Sequence, residues 1–226
     1  MAERRCPKRA RSETPPDNAA GAATTMAAAP DAKTAPAPED AIPIAMNLFA
    51  ARGWTGTTLA DIADAAGLSF AVLHPAYPSK AAVLRGFMAM VDRAVLATPP
   101  DTDATPREAL FEIFMRRFDA LQPYRAALAR LAGDLTRDPA AALCLARRGA
   151  ASVAAMAERA GIDTGGPLGT IRVKALIALH AWTMRTWLTD DTADMARTMK
   201  TLDQGLERLE MLARSMPRRL AARPAT

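Results

Sequence analysis

From about residue 40 to residue 216 the apolar positions recur at steps of three and four, the period of an amphipathic helix. No run alternates apolar and polar residues for long enough to make a half-buried strand. Residues 1 to 39 have no apolar period; Ala, Pro, Thr and charges fill them, and the segment reads as disordered. A first helix is expected from about Asp40 to Arg52, with Ile44, Leu48 and Phe49 inward, Pro43 in its first turn and Gly53 ending it. Thr57 or Thr58 caps a second helix whose Leu59, Ile62, Ala63 and Ala66 share a face. Gly67 turns the chain, Leu68 anchors the turn, and Ser69 caps a short third helix, FAVLHPAY. Ser79 caps a fourth, running to about Ala97 and striped by Val83, Leu84, Phe87 and Val91.

Beyond the break TPPDTDA, Thr105-Pro106-Arg107-Glu108 has the form of a capping box with Pro at the first helical position. The fifth helix that follows carries Leu110, Phe111, Phe114, Met115 and Phe118. Pro123 separates it from a sixth ending near Arg137, and Asp138-Pro139 opens an Ala-rich seventh that stops at Gly161. GIDTGGPLG reads as a loop. The eighth helix, from Thr170, is apolar on more than one side and is expected to be mostly buried. The ninth, from about Ala193 to Met216, repeats Met195, Met199, Leu202, Leu206, Leu209 and Ala213 along one face until Pro217. The fold class expected is all-α: an N-terminal three-helix helix-turn-helix domain and a C-terminal helical bundle. The expected domains are a basic tail at 1–39, a helix-turn-helix domain with the fourth helix at 40–97, a helical body at 98–216, and a basic flexible tail at 217–226.

Composition supports helix: the chain is 50% hydrophobic and 5% aromatic, and Ala and Leu, which lose little entropy in a helix, dominate. The net charge is +5 but sits at the ends. Of 29 bases and 24 acids, 20 and 19 fall within residues 40–216. Arg4, Arg5, Lys8, Arg9, Arg11, Arg218, Arg219 and Arg223 make the ends basic. Such ends are solubilising tails or a non-specific hold on phosphates of DNA or anionic lipid. Cys6 and Cys144 lie far apart, so a reducing, cytoplasmic setting is expected. No uncharged apolar run reaches 18 residues, and no transmembrane segment is expected. The start lacks the Leu/Val-rich block of a secretory signal, although an Arg- and Ala-rich start also suits an organelle transit peptide.

LFAARGW, TTLADIADAAGLS and YPSKAAVL, over roughly residues 44 to 97, resemble the N-terminal domain of the TetR family of transcriptional regulators. The resemblance implies a homodimeric repressor of double-stranded DNA, reading a palindromic operator with the third helix in the major groove and released by a ligand. It implies phosphate contacts at Thr57, Thr58, His74 and Lys80, and base contacts from the reader-helix positions Ser69, Phe70, Ala71 and Val72. The reader helix departs from the usual chemistry, having no Arg, Lys, Asn or Gln. His74 stands where the family usually has tyrosine, and Pro75 removes a backbone donor. Residues 40–97 hold four bases and four acids, a neutral domain.

In TetR-like proteins the later helices make a dimer bundle and a ligand pocket. Leu176, Leu202, Leu206 and Leu209 are the interface candidates here, with intrachain core as the other use of that stripe. Phe111, Phe114, Met115, Phe118, Met156, His180, Met184 and Trp187 are the pocket candidates, and few polar groups accompany them, so an apolar small molecule is the ligand expected. The same set also makes a plain core. The segment AWTMRTWLTDDTADMARTMKTLDQGLERLE is similar to the C-terminal part of the isoprenoid-lipid-binding protein of ubiquinone biosynthesis, which shares the TetR fold. The shared pattern is a Trp-bearing helix, the acidic turn Asp190-Asp191, and Thr198 to Asp203. That resemblance implies a lipid-binding accessory protein with a degenerate helix-turn-helix as the alternative.

No cofactor, metal site or enzymatic activity is expected. His74 and His180 have no paired ligands at metal spacing. Asp190 and Asp191 serve either as a catalytic pair or as caps of the ninth helix. GGPLG follows no strand and is a connector rather than a phosphate loop.

Overall fold

The structure, a computed structural model, describes residues 36–215. The expectations for residues 1–35 and 216–226, including disorder, the basic ends and Cys6, lie outside the described residues. The described chain has no strand. A short turn of 3₁₀ helix precedes α1 (Ala41–Arg52), α2 (Leu59–Ala65), α3 (Phe70–Ala76), α4 (Lys80–Ala97), α5 (Pro106–Leu121), α6 (Arg125–Asp134), α7 (Pro139–Arg159), α8 (Gly166–Leu188) and α9 (Ala196–Ser215).

The predicted caps form at most starts. The Thr58 hydroxyl accepts from Asp61 N–H at 3.1 Å while the Asp61 carboxylate accepts from Thr58 N–H at 2.7 Å, a reciprocal capping box. Thr105 and Glu108 repeat the arrangement at α5. Ser79 caps α4 by accepting from Ala82 N–H, and Asp138 caps α7 by accepting from Ala141 N–H. Ser69 stands at the start of α3 but its side chain makes no capping bond. Gly53 and Gly67 end α1 and the α2 turn at φ 77° and 65°, where a Cβ would be strained.

Four sequence expectations shift. The inner side of α1 is Ala41, Ile42, Ala45, Met46 and Phe49; Ile44 and Leu48 are only half-buried, because α1 is covered by α6 as well as by α2 and α4. α8 begins at Gly166, four residues early, since Pro167 in its first turn needs no N–H partner. α8 is also far less buried than expected: only Gly169, Leu176, Thr183 and Trp187 are sealed, while Ile171 and Trp182 are open. α9 starts at Ala196 rather than near Ala193, after a turn in which Met195 takes φ 54°.

α1 to α3 and the start of α4 form the small N-terminal unit, with Ile62, Leu68, Leu73 and Val83 inside it. α4 runs on into the body, packing on α5 and α7, while α8 packs on α7 and α9. The α8–α9 contact is close enough that a Cβ on Gly205 would lie 2.1 Å from Leu179 Cδ1. By length and composition α7 is long and apolar enough to cross a membrane. In the fold it is a body helix whose Ser152, Val153, Met156 and Ala157 are buried and whose Arg148 reaches an acid on α4.

Candidate nucleic-acid interface and the body cluster

Leu73 is sealed inside and fixes the inner side of α3. At about 100° per residue the opposite pole is Ala71, flanked by Phe70 and His74 on one side and by Val72 and Pro75 on the other. Phe70 is 48% exposed and Val72 47%, and Ser69, Ala71, His74 and Pro75 are also exposed. The Phe70 and His74 rings lie 5.3 Å apart. The base-contact candidates Ser69, Phe70, Ala71 and Val72 and the phosphate candidate His74 are therefore all exposed, around the side of α3 away from Leu73.

The residues to which the resemblance gave phosphates are placed differently from one another. Thr57 is fully buried, and its hydroxyl donates to the Gly53 carbonyl at 2.9 Å, so it fastens the turn after α1. Thr58 is exposed, but its hydroxyl donates to the Asp61 carboxylate at 2.6 Å, which puts an acid at the start of α2. The Thr58 bonds, largest of the causes, hold the Asp61 pKa below its ordinary value. The Lys80 ammonium donates to the Trp54 carbonyl and sits 4.6 Å from the Trp54 ring centre. Burial lowers the Lys80 pKa, opposed by the charges of Asp138 and Asp61. Arg52 lies 3.7 Å from Asp61 and Arg85 turns to the Cys144 sulfur at 3.3 Å. Lys80 is thus turned inward, whereas Arg52, Arg85 and Arg93 are exposed, the first two beside neighbouring groups.

The turn after α1 also ties the N-terminal unit to the body. Trp54 N–H donates to the Asp134 carboxylate at 2.9 Å and its indole N–H donates to Asp138 at 3.0 Å. Arg130 donates to the Ala51 carbonyl at 3.3 Å, satisfying the end of α1. A groove opens beside this seam, lined by Trp54, Lys80, Asp138, Ala141 and Cys144.

In the body, Phe114, Phe118, Met156 and Trp187 are fully buried, and Phe111, Met115 and Met184 half-buried. The His180 ring lies 5.1 Å from Phe114 and 5.6 Å from Phe118, and Trp187 lies 5.8 Å from Phe118. The structure thus brings most of the pocket candidates into one packed cluster. His180 Nδ1 is sealed and unpartnered. Burial first, then the Arg117 charge, pushes the His180 pKa down to about 3 against a weaker pull from Asp92, keeping the ring neutral.

The sequence reading expected few polar groups here, and the structure corrects that. Asp92 from α4 bonds Arg117 of α5 at 2.5 Å, Ser152 of α7 at 2.5 Å and Arg148 of α7 at 2.7 Å. The side chains of Arg117 and Asp92 are only 6% and 9% exposed, and Arg117 Nε has no partner. One signal was present: Asp92 falls four residues after Met88 and eight after Leu84, in register with the apolar stripe.

Leu176, Leu202 and Leu206 are buried within the chain itself and Leu209 is half-buried. The surface that α8 and α9 leave open is instead Ile171, Trp182, Met211 and Leu212, beside a groove lined by Ala175, Ala178, Leu179, Gly205 and Leu209. Asp190 is buried and caps α9: it accepts from Thr198 N–H at 2.8 Å and Thr198 Oγ1 at 2.7 Å. Burial opposes its ionisation, but the bonds from Thr192 and Thr198 outweigh burial and hold its pKa well below the carboxylate range. Asp191 is open and lies 3.9 Å from Arg125.

Residues 43–86 match the family model of bacterial regulatory proteins, tetR family. No curated protein matches the chain. Its fold is similar to that of a TetR transcriptional regulator from Nitrosomonas europaea ATCC 19718, at TM-score 0.64 and 17% identity, covering 77% of this chain and 98% of that one. It is also similar to a TetR transcriptional regulator from Rhodococcus sp. RHA1, at TM-score 0.53 and 16% identity, covering 75% of this chain and 93% of that one. The N-terminal unit thus carries a segment similar to the tetR family at residues 43–86, and the described chain shares the fold of solved TetR transcriptional regulators.

Proposed function

We propose that this protein is a cytoplasmic, homodimeric transcriptional repressor that binds a palindromic operator through α3 and is released by a small molecule. The observation that carries the reading is the exposed outer surface of α3, held by a buried Leu73 within a domain that matches the tetR family. Two copies related by a two-fold axis present two such helices to successive major grooves. The open apolar surface of α8 and α9, with Ile171 and Trp182, supplies the dimer contact. The ligand enters the cluster around Phe111, Phe114, Met115, Phe118, Met156, His180, Met184 and Trp187, so its body is apolar. Release follows when the bound ligand favours a body shape that no longer spaces the two α3 helices for the operator.

The lipid-carrier alternative draws on the acidic turn and on Thr198 to Asp203. Those residues have structural work in this chain: Asp190 and Thr198 cap α9, and Asp203 pairs with Arg107 of α5. The test is selection from a random double-stranded DNA pool at near-physiological salt. Enrichment of one palindromic sequence is the expected result, and a pool that stays random refutes the regulator reading.

A further inference from the structure

We infer that α3 selects its operator through thymine methyl groups, with Phe70 and Val72 as the specificity-determining side chains. The inference rests on the DNA-binding reading above. The outward surface of α3 is made of Phe70, Ala71, Val72, His74 and Pro75, with Ser69 at its start. None of these is an Arg, Lys, Asn or Gln, so α3 offers no two-point hydrogen bond to guanine or adenine. The major-groove edges of the bases carry one apolar landmark, the C5 methyl of thymine, and Phe and Ala are suited to touch it.

The exposures fit that use. Phe70 and Val72 lie in the first turn of the helix, the part of a reader helix that approaches base edges. Each keeps about half its surface open, at 48% and 47%, although Leu73 between Val72 and His74 is fully buried. They therefore contribute little to holding α3 in place. Their positions on opposite flanks of Ala71 direct them toward the base edges of opposite strands, where the thymine methyls lie. The His74 ring lies against Phe70 in a tilted arrangement on that side. With polar readout confined to Ser69 and His74, discrimination rests on apolar contact that only A·T pairs provide on this edge.

The experiment uses the full-length protein and the operator selected above. Each thymine in a half-site is replaced in turn by deoxyuridine, which pairs identically and lacks only the methyl, and affinity is measured by fluorescence anisotropy at fixed salt. At the thymines facing Phe70 and Val72 the loss is expected to be about fourfold per methyl, the effect of exposing one buried carbon group. In Phe70→Ala and Val72→Ala, whose folding is checked by circular dichroism, the thymine–deoxyuridine difference at the matching position disappears. An operator that binds equally well with every thymine replaced overturns the inference alone. So does a deoxyuridine penalty of the same size in both variants. A pool that yields no operator overturns the inference together with the regulator reading, and would turn the apolar surface of α3 toward a protein partner.

Discussion

Gly53→Ala gives the most direct check on the seam between the N-terminal unit and the body. Gly53 sits at φ 77° and ψ 178°, a region essentially confined to glycine, so any side chain there costs about 1–3 kcal/mol. An added Cβ would also lie 2.5 Å from Asp134 Oδ2 and 2.9 Å from Arg130 Nε. Asp134 has to withdraw, which breaks its bond to Trp54 N–H; a hydrogen bond to a charged group contributes about 1.5–3 kcal/mol. Together the expected loss is about 3–5 kcal/mol, a fall in Tm on the order of 10 °C for a chain of this length. Gly67→Ala is the control, because Gly67 also has positive φ, at 65°, but no atom lies within 4 Å of its added Cβ. That variant should lose only about 1 kcal/mol. Urea unfolding of the two variants and the parent at one protein concentration gives both numbers. If the two variants lose the same stability, the contacts of Asp134 and Arg130 contribute nothing and the seam is not held as described.

Asp92→Ala strands the Arg117 guanidinium among apolar helices and should cost about 3–5 kcal/mol in urea unfolding, with a loss under 1 kcal/mol counting against a buried ion pair. His180 has a pKa of about 3 in the fold against 6.5 when unfolded, so between these values the unfolded chain binds the extra proton and stability falls as pH falls. The slope it adds is at most about 1.4 kcal/mol per pH unit, and His180→Phe should remove it, read as a flatter stability profile between pH 5 and 6.5. Deleting residues 1–35, which removes Arg4, Arg5, Lys8, Arg9 and Arg11, should lower the slope of log affinity against log salt by about 0.9 for each cation that meets a phosphate. An unchanged slope would mean that residues 36–226 supply the whole electrostatic hold.

What the sequence made legible was local. The Thr58 cap, the Thr105–Glu108 box, the turn glycines Gly53 and Gly67 and the helix starts at Ser79 and Asp138 each involve residues within three or four positions, so spacing alone reveals them, whereas the reciprocal bond of Asp61 to Thr58 emerges only in the structure. The direction of a stripe was harder. Period shows that Leu202 and Leu206 share a face but not whether that face meets the same chain or another, and α8 looked buried because its apolar residues surround it. The body cluster was least legible, since Asp92 meets Arg117, Ser152 and Arg148 across 25 to 60 residues of chain. Lys80 illustrates the same limit: its charge is plain from the sequence, but a rotamer sends that charge to Trp54.

The three tryptophans fall in three different surroundings: Trp54 is 5% exposed at the seam, Trp187 is 0% exposed in the body, and Trp182 is 63% exposed on α8. Variants that keep one tryptophan each, the others replaced by Phe, therefore give three distinct emission signals. Trp182 supplies the red-shifted, iodide-quenchable part, and its shift to the blue would report self-association. Trp54, with the Lys80 ammonium over its ring, would report strain at the seam through its intensity. Trp187, packed on Phe118, would sense a ligand in the body. The assembly, operator release and effector entry proposed above can thus be timed against one another in unlabelled protein, and the order of those proposed events becomes a measurement.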